Sequence, residues 1–335
     1  MTTTLNDVQN LKERVLAGEI IDRDTTLALL DAPLDELAQA ADDIRQHFCG
    51  NGFDMCSIIN AKSGRCPENC TFCAQSIRFP NIEIDKYPLI TVDELLAQAK
   101  ENKEKGVLRF SIVTSGRKLR RDEVEHICEG VRRIRTEIGI EVYISAGLLT
   151  EEQFTLLHNA GVSRVHCNLE TSRNNFPNIC TSHTFEDKIE TLEAAKRAGM
   201  SLCSGGILGL GETFEDRIDM VISARELGVK SIPVNVLVAI EGTPLQGMVP
   251  VTPEEVRRAV AIFRFLCPDA AIRLAGGREL LGDHGEACFT SGANSAISGD
   301  MLTTTTGSTI ASDLALVKKL GFDVALDHDN RTVNG

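Results

Sequence analysis

Thr150-Glu-Glu-Gln153-Phe-Thr-Leu-Leu-His-Asn-Ala-Gly161-Val-Ser163-Arg-Val-His-Cys-Asn-Leu169 contains one whole structural unit. The Thr150 oxygen can accept an early backbone N–H while Gln153 reaches back, so a helix starts here. The apolar spacing that follows carries it on, and Gly161 ends it, because glycine takes the left-handed backbone turn without a side-chain clash. Ser163–Leu169 then reads as a strand. The same phrase opens at Thr91/Glu94, Thr184/Asp187, Thr213/Asp216 and Thr252/Glu255. Asp is the poorer return partner of the three acids and amides used. Further helix ends are marked by Gly106, Gly139, Gly199 and Gly228.

Strand candidates follow these glycines at Leu108–Val113, Ile140–Ser145, Ser201–Ile207 and Ile232–Val238. Cys56–Ile59, Ala271–Ala275 and Ala287–Ser291 bring the number to about eight, the count of a TIM-type (β/α)8 barrel. Strands alternating with helices favour a parallel sheet, since each crossover needs a helix to return the chain to the same edge. An open doubly wound sheet is the alternative, but no dinucleotide fingerprint stands at the first strand-to-helix turn. Residues 1–52 show helical patterns at Leu5–Leu16 and Leu34–Phe48 with no strand between them, and read as an N-terminal helical cap. Residues 53–322 read as the barrel, and 323–335 as a polar tail outside the core.

The formal net charge of −13 repels a phosphate backbone, which makes nucleic acid an unsuitable partner. The densest basic stretch, Arg117 to Arg121, runs straight into Asp122 and Glu123 and reads as a solvated face. No basic start with an apolar run opens the chain, and no stretch reaches the roughly 18 apolar residues of a membrane span. A cytoplasmic protein is expected. Eleven cysteines in a reducing compartment then point to metal binding or catalysis rather than disulfides.

Three of them stand in Cys66-Pro-Glu-Asn-Cys70-Thr-Phe-Cys73, in the polar loop after the first strand candidate. That is the end of a barrel where active sites lie. Three soft thiolates suit an iron-sulfur cluster, whereas a closed zinc site wants four ligands and would have to recruit one from elsewhere. Three protein ligands on a four-iron cluster leave one iron open. The pattern resembles the hallmark of the radical S-adenosylmethionine (SAM) superfamily. The resemblance implies a 4Fe-4S cluster whose open iron chelates SAM, a 5′-deoxyadenosyl radical as the working species, and Phe72 beside the adenine.

Cys66–Ser76, Cys203–Thr213, Ile232–Leu245, Arg273–Glu279 and Cys288–Ser295 are similar to phrases of the biotin synthase family. The resemblance implies conversion of dethiobiotin to biotin, a homodimer, an electron donor such as flavodoxin or ferredoxin, and a second, auxiliary cluster that gives up sulfur. It implies that Asn168 touches dethiobiotin and cofactor, that Glu170 accepts from the ribose, that Asn235 binds the ureido group and that Lys188 meets the cofactor carboxylate. Read alone, Glu170 is equally a surface acid and Lys188 an exposed helix lysine. Gly206 and Gly209 belong to a glycine-rich strand end that lets backbone approach the adenine.

The commoner members of that family hold the auxiliary cluster with three cysteines and an arginine. Cys203 and Arg273 match two of those positions, but Ser111 and Tyr143 occupy the others, and neither replaces a thiolate. Cys56 and Cys167 are therefore expected, with Cys203 and Arg273, to hold a differently ligated cluster. Alternation puts Cys56 on one face with Asn60, whereas Cys167 lies opposite Asn168 and needs a bulge to turn inward. Cys180 and Cys288 are in reserve. Two other readings stay open: a related radical enzyme such as a methylornithine-type mutase or hydrogenase-cofactor maturase, and a non-catalytic zinc or iron-sulfur binding protein.

Overall fold

The computed structural model describes residues 5–299 and 308–325. Three helices come first, α1 (Leu5–Leu16), α2 (Arg23–Ala28) and α3 (Leu34–Cys49). The chain turns at Gly50 into β1 (Gly52–Lys62), followed by α4 (Val92–Glu104), β2 (Arg109–Thr114), α5 (Arg121–Arg133), β3 (Glu141–Ser145), α6 (Glu151–Ala160) and β4 (Val162–His166). Next come the single turn α7 (Phe176–Ile179), α8 (Phe185–Arg197), β5 (Ser201–Cys203), β6 (Gly206–Leu208), α9 (Phe214–Glu226), β7 (Ser231–Val236), α10 (Pro253–Leu266) and β8 (Ala271–Leu274). The short α11 (Glu286–Phe289), β9 (Ser295–Ile297), α12 (Ile310–Lys319) and β10 (Asp323–Val324) end the described chain.

Every strand pairing is parallel. β9 pairs with both β8 and β1, which closes the ring, and β5 and β6 share one position in it, so the barrel is a (β/α)8 barrel. The expected start signals act as read. Thr91, Thr150, Thr184 and Thr213 each form the reciprocal cap. Each threonine cap is worth about 1 kcal/mol. At Thr252 only half of it forms, because the Glu255 carboxylate turns to an ion pair with Arg217 at 2.8 Å. Gly161 closes α6 with φ 110°, where a side chain would be strained.

Three strand expectations are corrected. β1 is longer than Cys56–Ile59, and runs on to Lys62 toward the cysteine loop. The strand expected at Ser201–Ile207 is broken at Ser204–Gly205, where a Cβ on Gly205 would lie 2.1 Å from the Pro233 carbonyl oxygen. The strand expected at Ala287–Ser291 is instead helical. The Asp283 carboxylate accepts the Gly285 and Ala287 N–H groups, each at 2.8 Å, and starts a turn. The closing strand comes later, as β9. The tail boundary also moves: Asp323 and Val324 pair with Gly52 and Phe53, and the Ala325 N–H donates to the Phe53 carbonyl at 3.0 Å. Residues 326–335 of the expected tail lie outside the described residues.

The N-terminal helices lie against α9 and α10. Arg23 pairs with Asp219 at 2.6 Å and Glu215 at 3.0 Å, and Arg258 donates to the Ala32 carbonyl at 2.7 Å. The main apolar core is the layer between strands and helices, where Phe110, Ile112, Val142, Ile144 and Val165 meet Leu95, Val124, Ile127, Phe154 and Leu157. Alternation then sends the other residues of these strands inward. A barrel interior is ordinarily filled by Val, Ile and Leu. Here it holds Asp54, Cys56, Arg109, Ser111, Tyr143, Arg164, Cys203, Ser231 and Arg273, all buried. So much buried polarity costs several kcal/mol per ion unless it is paired, which marks the interior as a site rather than filler.

Candidate active site

The cysteine loop is fastened to the segment that precedes α8. Asn69 Oδ1 accepts the Thr181 and Ser182 N–H groups, both at 3.0 Å, and its Nδ2 donates to Thr181 Oγ1 at 2.6 Å. The Thr71 N–H donates to the Ile179 carbonyl at 2.9 Å, and Ser182 Oγ donates to Glu68 Oε2 at 2.6 Å. Cys66, Cys70 and Cys73 are thereby held half-buried in one loop. Their thiols sense each other. Burial pushes Cys73 up to about 11, with Cys66 adding to the rise, and Cys66 is raised by burial too. Neutral thiols in such a place become thiolates when a metal cation binds them. Contact with Cys180 and burial raise Cys70 as well.

Cys180 Sγ lies 3.7 Å from Cys70 Sγ and 3.3 Å from His183 Nδ1. Among the described residues these three are the one group whose ligand atoms all lie within 4.8 Å of each other. Cys180, held in reserve for the auxiliary cluster, thus stands beside the first cysteine triplet. The zinc alternative draws its missing ligand from this pair. It leaves Cys66 and Cys73 outside the group, however.

Behind the loop, a cavity of about 210 Å³ is lined by Phe72, Asn168, Glu170, Asn235 and Gly277 among others. Glu170 has φ 71°, and its backbone bridges to the broken strand: its N–H donates to the Gly205 carbonyl at 3.0 Å, and its carbonyl accepts the Ile207 N–H at 2.9 Å. Its Oε2 is shielded from water and has no partner. Burial raises the Glu170 carboxyl, with Lys188 pulling it back. Lys188 is no exposed helix lysine. It is half-buried, and although burial opposes its charge, Cys167, Glu170, Cys70 and Cys180 hold its ammonium above the ordinary value. An orphaned acceptor beside a cation and a ring is a fitting cradle for a hydroxyl-rich, zwitterionic cofactor.

Asn235 spends part of its amide on the protein. Its Nδ2 donates to the Gly206 carbonyl at 3.0 Å, and its Oδ1 accepts the Gly276 N–H at 2.9 Å. One N–H and one lone pair remain for a ligand. Gly206 is required by packing, since a Cβ there would stand 2.3 Å from the Glu170 carbonyl oxygen. Gly209 is a turn residue with φ 101°, and its N–H donates to Glu212 Oε1 at 2.9 Å.

A second cavity of about 180 Å³ continues inward from Asn168, Asn235 and Gly276 to Ile58, Ser111 and His166. Near it is a belt of buried polar groups. Cys203 Sγ donates to Ser231 Oγ at 3.2 Å, and Arg273 Nε donates to the same oxygen at 3.3 Å. Arg273 Nη2 and Arg109 Nε both donate to the Asp54 carboxylate. Burial alone would raise that carboxyl, but Arg273, Arg109 and Arg164 hold it down at about 2. Cys56 shares its strand face with Asp54 and Ile58, and burial pushes its thiol up to about 12. Cys203 and Arg273 share the Ser231 hydroxyl, Arg273 and Arg109 share Asp54, and Cys56 stands two residues beyond Asp54 on the same face of β1, so the three line one interior.

Cys167 is not among them. It is buried in the helix-side core, and the β4–β5 register runs without a shift through Arg164, Val165 and His166, which leaves it on the face opposite His166. The inward side of that segment is Arg164, His166, Asn168 and Glu170. His166 is the residue that sequence reading missed, although its parity with Asn168 was legible. Its Nε2 has no partner, and burial with the charges of Arg273 and Arg164 holds it neutral, down at about 3. Cys288 and Cys267 are buried with the helix-side core.

Residues 61–224 match the Radical SAM superfamily, and residues 233–323 match the Biotin and Thiamin Synthesis associated domain. The chain is 75% identical over 330 residues to Biotin synthase 2 of Corynebacterium diphtheriae, covering 98% of this chain and 100% of that protein. It is 50% identical over 322 residues to the biotin synthase of Brachyspira hyodysenteriae, covering 96% of each. Among solved structures, a methylornithine synthase superposes with a TM-score of 0.83 at 20% identity, covering 96% of this chain and 99% of the other. A maturase of the FeFe-hydrogenase follows at 0.77 and 16% identity, covering 95% and 75%. At those identities the two structures speak for the shared fold alone.

Proposed function

The chain belongs to the biotin synthase family, radical SAM enzymes that insert sulfur into dethiobiotin, and we propose how its own residues divide that work. When bound, a 4Fe-4S cluster supplies the electron that cleaves SAM, and an auxiliary iron-sulfur cluster supplies the sulfur atom. Cys66, Cys70 and Cys73 hold the first, and the contacts of Asn69 and Thr71 keep their loop over the barrel mouth. Phe72 packs beside the adenine. Glu170 Oε2 accepts from the ribose hydroxyls, and Lys188 pairs with the cofactor carboxylate.

Asn168 stands where the two cavities meet, so it can touch cofactor and dethiobiotin together, while the free half of the Asn235 amide orients the ureido ring. The substrate sits between the two cavities, in the interior of a closed barrel. A primary carbon radical requires a site shielded from water, and the barrel wall shields this one from the sides. Cys56 and Cys203 hold the auxiliary cluster, and Arg273, fixed by Asp54, lies against it. Tyr143 takes no part as a ligand, because its hydroxyl is already engaged by Arg109 Nη1. Cys167 is left out of the ligand set that the sequence suggested.

The observation that supports this reading is the polar interior itself: two buried thiols and an arginine in a barrel whose inner cavity shares Asn168, Asn235 and Gly276 with an outer one lined by Phe72 of the cysteine loop. The reading brings with it a homodimer, an electron donor such as flavodoxin or ferredoxin and a cytoplasmic setting, each supported by the family resemblance. No helix among the described residues is long and apolar enough to cross a membrane. The test is anaerobic incubation of reduced, reconstituted protein with SAM and dethiobiotin, following 5′-deoxyadenosine and biotin. Biotin formation is expected; SAM cleavage without biotin would refute the sulfur-inserting role.

A further inference from the structure

We propose that His166 is a nitrogen ligand of the auxiliary iron-sulfur cluster, completing a Cys56, Cys203 and His166 set in place of the missing thiolates. The inference rests on the reading that the second cluster occupies the barrel interior.

Four observations carry it. His166 is the register partner of Cys203 across the β4–β5 pairing, and adjacent partners in a parallel pair point to the same face. His166 also lines the inner cavity, so both side chains face the barrel axis. Its Nε2 has no solvent contact and no hydrogen-bond partner, and on the same cavity Ser111 Oγ is likewise buried and unpartnered. Orphaned buried polar atoms are rare, because each forgoes a hydrogen bond worth about 1–3 kcal/mol. Two of them on one small cavity mark a place where a group belongs.

The donor set has the right chemistry. Two thiolates and a neutral imidazole nitrogen suit iron, and histidine stands in for cysteine on one iron of Rieske-type clusters, where it raises the potential. The position also accounts for a tyrosine at one of the usual ligand positions. Tyr143 is turned to Arg109, with its ring 5.4 Å from the His166 ring. It thus packs against the imidazole at a tilt, with its hydroxyl on Arg109. Arg164, buried one pleat below, has its guanidinium carbon 4.9 Å from the centre of the same tyrosine ring.

The experiment is pulsed electron paramagnetic resonance on the full-length, reconstituted and reduced protein, grown once with natural histidine and once with ¹⁵N-histidine. The auxiliary-cluster signal should show a strongly coupled nitrogen that changes with the label. His166→Cys should keep the iron and sulfide content, lose that coupling and lower the cluster's midpoint potential. His166→Ala should lose auxiliary iron while keeping the roughly four irons of the first cluster. A second cluster with no histidine nitrogen coupled to it in the unaltered protein overturns the ligand assignment alone, and leaves His166 a contact to the substrate. Only about four irons per chain in the parent overturns both this inference and the reading beneath it.

Discussion

Replacing Asp54 with Asn puts the barrel interior to its severest test. Asp54 is 2% exposed and receives Arg109 and Arg273, each 0% exposed. The substitution keeps the shape and removes the charge, leaving two buried guanidinium groups without their anion. Breaking a buried ion pair from one side costs about 3–5 kcal/mol. Unfolding entropy near 2.1 cal/mol/K per residue gives roughly 0.7 kcal/mol/K for a chain of this length, so the melting temperature should fall by about 4–7 °C. The assay is calorimetry of the anaerobic apo-protein at pH 7 and at a series of lower pH values. The carboxyl is held down at about 2, so its contribution is fully present above the unfolded value near 3.9 and is lost as pH falls toward 2. The difference between parent and Asp54→Asn should therefore shrink across that window. A drop of less than about 1 °C at neutral pH, or a difference that does not depend on pH, would refute the claim that this carboxylate organises the interior.

Glu170→Gln keeps the hydrogen-bonding shape but removes the charge, so SAM should bind at least about tenfold more weakly in an anaerobic titration, from the 1.5–3 kcal/mol of charge-assisted bonds. An unchanged affinity would take Glu170 out of the cofactor site. Gly206→Ala places a Cβ 2.3 Å from the Glu170 carbonyl oxygen and 2.3 Å from Met220 Sδ. The sulfur can yield but the backbone cannot, and overpacking of about 1–3 kcal/mol should lower the melting temperature by a few degrees and weaken SAM binding with it. Cys167→Ala should leave iron per chain unchanged, because that thiol lies on the helix side; a loss of iron would restore it to the ligand set.

The barrel was legible because its signals are local. A threonine three residues ahead of an acid or amide, and a glycine at the end of an apolar period, act through hydrogen bonds within one turn. The cysteine triplet was legible for the same reason. What escaped was set by contacts between distant segments. The break at Ser204–Gly205 stands where Pro233 of β7 approaches; the closing strand differs for a local reason instead, the Asp283 carboxylate taking the Gly285 and Ala287 N–H groups and winding Ala287–Phe289 into a turn. The identity of the inward face was half legible. Parity sets Cys167 opposite Asn168 and puts His166 on the same side as Asn168, and the structure keeps that alternation. The Asp54 hub joins β1, β2 and β8, and nothing within any one strand announces it.

The most direct test of the account is a crystal of the anaerobically reconstituted protein with SAM and dethiobiotin, measured at the iron absorption edge. Two iron centres should appear within one barrel, one against Cys66, Cys70 and Cys73 and the other deeper, against Cys56 and Cys203, with the substrate between them. A single centre, or zinc in place of iron at the cysteine loop, would contradict it.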